Sequence, residues 1–361
     1  MAYTTIDKPT DYFNTVLYTG NGSSNAITGV GFQPDWIWLK NRSTNNSHQL
    51  YDAVRGTTKY IESDNTDSEY TSSDGISAFG TDGFTIAGNL TGANNSGGNF
   101  VSWNWLGANG TASNSNGSIT STVSANTTAG FSIVTWTGNG SDATIGHGLS
   151  SAPEMYVVKN RSDSADWRVG QTVAGNIMTG GNGYYMEWND TKASTNPGSA
   201  TTWGSTPTAP TASVFTVGSN NAHNGSSDSM VAYCFHSVKG YSKIGSYKGN
   251  GNADGTFVYT GFKPAWVMTK CASTSSTYTV WGMWDNKRNP FNASSNVLAT
   301  DLNEAENGST IGTTQPMDLL SNGFKARANS SIHNLSGETH LYMAFAESPF
   351  VTSTGIPNNA R

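Results

Sequence analysis

The sequence predicts an all-β protein made of three tandem antiparallel β-sandwich domains. Three observations carry that expectation. Aromatic residues reach 11% (11 Trp, 15 Tyr, 14 Phe) while all apolar residues together make up only 35% and charged residues 12%. A core can therefore be built from large rings, each burying roughly 150–250 Å². Gly (41 residues), with abundant Asn, Ser and Thr, supplies many tight turns and suits a β-rich chain. Finally, one long motif recurs three times, at Tyr18–Arg42, Trp136–Arg161 and Tyr247–Ala272. Each copy runs from an aromatic through x-G-N-G to a Gly-Phe or Gly-Leu pair, a proline and an apolar run with a lysine near its end.

The recurring prolines, Pro34, Pro153 and Pro264, stand 119 and 111 residues apart. That exceeds the 20–50 residues of stacked solenoid units, so whole domains repeat. The copies also match downstream, at Phe84, Phe215 and Phe324, at Asn94, Asn224 and Asn334, and in the final strands around Trp103, Tyr233 and Met343. Asn21-Gly22, Asn139-Gly140 and Asn250-Gly251 predict hairpin turns with positive φ. Trp36-Ile37-Trp38-Leu39 is apolar on both faces and predicts a central strand covered on each side. No sustained helical period is present, so helices should be few and short.

The predicted boundaries follow in order: an N-terminal arm at 1–13, a first sandwich at 14–107, a Gly/Ser/Asn-rich linker at 108–128, a second sandwich at 129–239, a third at 240–350, and a tail at 351–361.

Several function classes are disfavoured. The net charge is −6 with no basic stripe, so nucleic-acid binding is not expected. No apolar run approaches the roughly 20 residues of a membrane span, and the N-terminus lacks the pattern of a secretory leader. The two cysteines, Cys234 and Cys271, form no disulfide framework; Cys234 in Val231–Phe235 reads as a buried free thiol, with a Cys234–Cys271 bridge as the alternative. No zinc-ligand spacing joins the six histidines, and no nucleophile elbow occurs. Glu62/Asp64 and Glu304/Glu306 are the acidic pairs a glycosidase would need, but solvated loop charge is the plainer reading. The expectation is therefore no catalytic residue, no metal and no cofactor. Asp64–Asp67 and Asp74-Gly75 keep calcium open as an alternative.

The strings YTGNG, GFQPDWIWLKNR, YDAVRGTTK, DGFTI and VSWNW, with the opening MAYTTIDKPTDYFNT and the close YMAFAESPF, resemble a family of uncharacterised proteins from marine bacteriophages of cyanobacteria and other ocean bacteria. The resemblance covers essentially the whole chain. It implies tail-fibre-like or other virion structural proteins with concanavalin-A-like lectin domains, hence sandwiches of lectin-like or jelly-roll type. It implies location in the virion, contact with other virion proteins and a symmetric homo-oligomer. The leading expectation is recognition of a host surface glycan. The competing one is a structural head or tail decoration protein, and a weaker one is a glycan-degrading enzyme. Sugar rings stack on aromatic faces, so the tryptophans outside the shared strands, Trp167, Trp188, Trp203, Trp281 and Trp284, are the candidate ligand-binding residues, weighed against core packing.

Overall fold

Each Asn-Gly pair bends the chain at the same place. Gly22, Gly140 and Gly251 have φ of 69°, 67° and 66°, a region glycine enters without a Cβ clash. A distant asparagine locks each turn. Asn94, Asn224 and Asn334 accept the backbone N–H of Asn21, Asn139 and Asn250 at 3.1, 3.4 and 3.0 Å. Their Nδ2 groups donate to the side-chain oxygens of the same three residues.

The computed structural model describes residues 3–174, 183–196, 202–312 and 315–358. Among these the chain is all-β, and its named strands pair antiparallel. Each copy of the motif builds one large sheet in the same spatial order. In the first copy this order is Phe13–Thr19, Asn99–Trp105, Trp36–Asn41, Gln49–Asp52, Lys59–Glu62 and Tyr70–Thr71. In the second, Phe131–Thr137, Ser229–Phe235, Met155–Asn160, Arg168–Gln171 and Met186–Glu187 repeat it. In the third, Ser242–Lys248, Thr339–Pro349, Phe262–Cys271, Gly282–Asp285 and Leu298–Ala299 do so again. The residues two past each proline, Trp36, Met155 and Trp266, pair with Trp105, Phe235 and Phe345. A smaller sheet accompanies each large one, built around Gly83–Ile86, Val214–Val217 and Gly323–Ala326.

The pleat explains why the central strands are apolar on both faces. Ile37 and Leu39 join a cluster with Ile27, Phe84 and Ile86 of the small sheet. Tyr156 and Val158 do the same with Phe215 and Val217, and Val267 with Phe324. The alternate residues point the other way. Trp36, Trp38, Met155, Val157, Trp266 and Met268 all enter one further cluster that draws on all three repeats. The three large sheets therefore close around a shared core, besides the three cores internal to the repeats. Each large side chain buried there contributes roughly 1.5–3 kcal/mol relative to exposure.

Two expected boundaries differ. The segment at 108–128 is no free linker. Ala112–Asn114 and Ser121–Asn126 extend the middle sheet beside Phe131–Thr137. Val123 joins that repeat's own core with Leu149, and Ala125 packs against it, a sparse apolar signal masked by polar neighbours. Nor is the N-terminal arm loose, since Ile6 enters the shared core and Thr4 Oγ1 donates to the Lys239 carbonyl at 2.9 Å. The tail folds back as well, with Ser353 N–H on Asp7 at 2.6 Å. Both cysteines are free and buried.

Candidate functional site: the seam between the first and third repeats

All five tryptophans singled out from sequence are buried. Trp188 stands where the other repeats carry Ser63 and Thr300. Its ring meets Trp38, Trp167 and Trp281, one from each repeat, with centroids at 4.9, 5.7 and 6.5 Å. Trp167 donates its indole N–H to the Glu62 carbonyl at 2.8 Å and Trp281 to that of Glu187 at 2.9 Å, each reaching into the preceding repeat. Trp203 and Trp284 sit inside their own repeats, each 5.3 Å from a histidine, His223 and His333. Trp203 borders a surface recess, beside Asp142 and Ser205. The candidates are thus core residues. Sequence could not separate Trp167, Trp188 and Trp281 from exposed aromatics, because the shared core buries sheet faces that single sandwiches would leave open, whereas Trp203 and Trp284 fill the cores of their own repeats.

Burial holds the His223 and His333 rings down to about 3, so both are neutral. Among the described residues no group of three or more His, Cys, Asp or Glu is placed to hold a metal. Of the oxygens considered for calcium, those of Asp64, Thr66 and Asp67 are engaged within the chain. Asp64 accepts the His48 N–H at 2.8 Å, Asp67 accepts the Tyr70 hydroxyl, and the Thr66 carbonyl accepts Lys159. Of the acidic pairs, burial lifts Glu62 to about 7, while Glu306 lies between Arg42 and Arg288 at 2.6 and 3.2 Å.

Three seams join the repeats in a ring. At each, the recurrent lysine is buried and donates to a carbonyl of the preceding repeat: Lys159 to Thr66, Lys270 to Thr191 and Lys40 to Asn303, at 2.9, 2.7 and 3.3 Å. Burial pulls all three ammonium groups down to about 8. The first seam adds a charge network. Arg55 pairs with Asp52 and Glu69, Arg161 also pairs with Glu69, and Tyr233 donates to Asp52 at 2.8 Å. Burial works against the Arg55 charge, but Asp52, Tyr233 and Glu69 hold its proton more firmly than usual. The third seam repeats the pattern with Asp285, Arg288, Glu306, Arg42 and Trp103, whose N–H donates to Asp285 at 3.1 Å. The second seam replaces all five members together, by Gln171, Ala174, Ser194, Ala272 and Met343; there the Gln171 side chain turns back to accept the Ala174 N–H at 2.7 Å.

The seams also differ at the end where Pro34, Pro153 and Pro264 lie. In the first, the added hairpin packs in, with Asn109 N–H on Asp35 and Ala108 N–H on Ser124 at 3.0 and 2.9 Å. In the second, the arm lies across, Tyr3 donating to the Gly261 carbonyl at 2.8 Å, and Glu154 accepts the Ser237 N–H at 2.7 Å. The third is an open recess of about 290 Å³ lined by Phe13, Thr15, Ala265, Asn286, Pro290 and Glu347. Its residues depart from their sister positions. Thr15 stands where Ile133 and Ile244 stand, judged by strand register. Asn286 replaces Ala53 and Thr172, all three donating backbone N–H to the residue before the central apolar run. Glu347 replaces Gly107 and Ser237, two residues past the paired Phe345, Trp105 and Phe235. Thr15 Oγ1 and Asn286 Oδ1 are buried without a hydrogen-bond partner. The orientation of the amide is set, because Nδ2 of Asn286 donates to Glu347 at 2.6 Å and Glu347 pairs with Lys263 at 2.8 Å. A buried oxygen left unmade costs about 1–3 kcal/mol. The recess itself presents the apolar surfaces of Phe13 and Pro290 beside the charges of Lys287 and Glu347. The signal lay in the aligned strands, as single polar replacements inside matching positions, whereas the divergent loops drew attention elsewhere.

Against known proteins, the family described as Domain of unknown function (DUF7483) matches residues 8–349. No curated protein matches the chain.

Proposed function

The chain belongs to the DUF7483 family, and since that kinship brings no activity with it, we propose its role from geometry and from the resemblance of its motifs: a non-enzymatic surface module of a bacteriophage particle that recognises a host glycan. In this reading three lectin-like sandwiches are fused into one ring and work beside other virion proteins. The observation that carries it is the third seam. The added hairpin packs into the first seam and the arm lies across the second, while the third has neither and keeps a recess in which Thr15, Asn286 and Glu347 depart from their sister positions.

The competing reading, a head or tail decoration protein, draws on Phe291, which is 77% exposed on a loop beside the recess. Exposed aromatics of this kind anchor protein contacts. The arm, engaged within its own chain, is less suited to docking than Phe291. The test is a particle carrying Thr15→Ile or Asn286→Ala. Adsorption to host cells should fall while assembly continues. Unchanged adsorption, together with loss of the protein from particles carrying Phe291→Ser, would overturn recognition in favour of decoration. Host polysaccharide incubated with the protein should release no reducing ends; sustained release abolished by Glu304→Gln would make it an enzyme.

A further inference from the structure

We propose that the edge strand Phe257–Tyr259 of the third repeat is a docking site for an extended, acidic segment of a partner protein, which adds to the small sheet as one more strand. The second repeat shows how such an edge is covered. There the sister strand Ala143–Gly146 is overlaid by the chain itself, with Ile119 paired in parallel to Ile145. The Ile119 N–H donates to the Thr144 carbonyl at 3.2 Å. The backbone N–H groups of Ser118 and Thr144 each donate to the other residue's hydroxyl, at 2.8 and 2.9 Å, and Ser121 Oγ donates to the Gly146 carbonyl at 2.6 Å. Ile145 faces Phe215 as Val258 faces Phe324, so Thr144 and Gly146 correspond to Phe257 and Tyr259.

In the third repeat the same backbone groups point outward. The Ala326 N–H donates to the Thr256 carbonyl at 3.2 Å and the Thr260 N–H to that of Asn322 at 3.0 Å. The alternation of an antiparallel pair then turns the N–H and C=O groups of Phe257 and Tyr259 to the free side. Lys243 reaches the Tyr259 carbonyl there at 2.8 Å, and among the described residues no strand pairs with that side. The side chains change as well. Phe257 and Tyr259 are 44% and 49% exposed. The first repeat has Ala26 and Thr28 at these places and Asn14 in place of Lys243, so its edge lacks both the rings and the cation. A free edge is a ready site for pairing with another chain, and aromatic side chains beside it supply anchors.

Charge selects the occupant. A strand running as Ser118–Ser121 runs leads from Phe257 into a recess of about 440 Å³ between the second and third repeats, walled in part by Tyr3, Lys239, Lys243 and Tyr259. Lys239 lies over the Tyr3 ring at 4.6 Å and Lys243 over the Tyr259 ring at 5.5 Å. The lysines in ion pairs among the described residues are Lys8, Lys192, Lys263 and Lys325, which leaves these two without one. Glu154, in the same wall, is held by the Ser237 N–H at 2.7 Å. An acid at the place of Ser121 in the incoming strand meets both ammonium groups. A second copy of this chain is the poorer occupant, because identical edges related by a two-fold axis pair antiparallel, whereas the covering strand of the second repeat runs parallel.

The full chain is titrated by calorimetry with three acetylated peptides: Gly-Ser-Ile-Thr-Glu-Glu, Gly-Ser-Ile-Thr-Lys-Lys and Gly-Ser-Pro-Thr-Glu-Glu. The first should bind saturably and about tenfold more tightly than either other, since one loses the charge match and the other the N–H offered to Phe257. Phe257→Ser, and Lys239→Ser combined with Lys243→Ser, should each weaken it about tenfold. Amide hydrogen exchange should slow over residues 255–260 and stay unchanged over 24–29. If Phe257→Ser does not fold, the exposed Lys239→Ser and the exchange pattern carry the test. No binding of the first peptide, equal binding of the lysine or proline peptide, or protection confined to other segments overturns the proposal. So does a dimer of the parent chain in sedimentation that Phe257→Ser dissociates, which would make the occupant a second copy.

Discussion

At the scale of single residues, positions that recur are explained by backbone and seam chemistry, and positions that differ by local geometry. Asn94, Asn224 and Asn334 recur because an amide alone can accept from a turn and donate back to it. Lys40, Lys159 and Lys270 recur because each reaches a carbonyl across a seam. Their depression to about 8 has a consequence for stability. An unfolded lysine, near 10.4, binds its proton more tightly than these folded ones. Folding therefore releases protons between about pH 8 and 10, and the lysine contribution improves as pH rises through that window, by at most about 1.4 kcal/mol per pH unit for each group. Urea unfolding of the parent and of Lys159→Met should show their stability difference growing in the parent's favour from pH 7 to 10. A pH-independent difference would mean that Lys159 ionises normally. Trp188 illustrates divergence. It fills with one indole the space where its sister residues are Ser63 and Thr300, so Trp188→Ala should cost about 3–5 kcal/mol, read as a lowered denaturation midpoint.

At the scale of elements, the central strands were legible and the added hairpin was not. Trp36–Asn41, Met155–Asn160 and Phe262–Cys271 announce themselves by apolar runs, and both of their faces are covered. Ser121–Asn126 offers only Val123 and Ala125 among polar residues, and its pairing depends on the neighbouring Phe131–Thr137 being in place. The arm is similar: Ile6 is a lone apolar residue whose burial requires the ring around it. Removing residues 1–8 should therefore lower the thermal midpoint measurably, because Ile6, Thr4 and Tyr3 lose their contacts. An unchanged midpoint would show the arm to be dispensable for folding and restore docking as its role.

At the scale of the whole molecule, the seams decide behaviour. The charged and neutral versions of one interface occur side by side in the same ring. Removing one partner of a buried network leaves a stranded charge, so Arg55→Ala should cost about 3–5 kcal/mol. Replacing the full set by its second-seam counterparts (Asp52→Gln, Arg55→Ala, Glu69→Ser, Arg161→Ala, Tyr233→Met) should recover most of that loss, because no charge remains unpaired. A quintuple variant as unstable as the single one would show the network itself to be the stabilising element. The shared core also predicts one cooperative unfolding transition, coincident by tryptophan fluorescence and far-UV circular dichroism. Three separable transitions would mean that the repeats fold independently.

The sequence by itself determined the all-β class, the threefold repeat, the turn positions and the central strands, because these depend on patterns within a few residues and on similarity between copies. Tertiary structure alone decided that the outer faces of the three large sheets meet, and that burial removed the five candidate tryptophans from the surface. It also decided how each of three matching seams is covered. That last choice depends on distant segments, the hairpin at one seam and the arm at another, and on Thr15 and Asn286, residues 271 positions apart that line one recess only once the third repeat closes against the first.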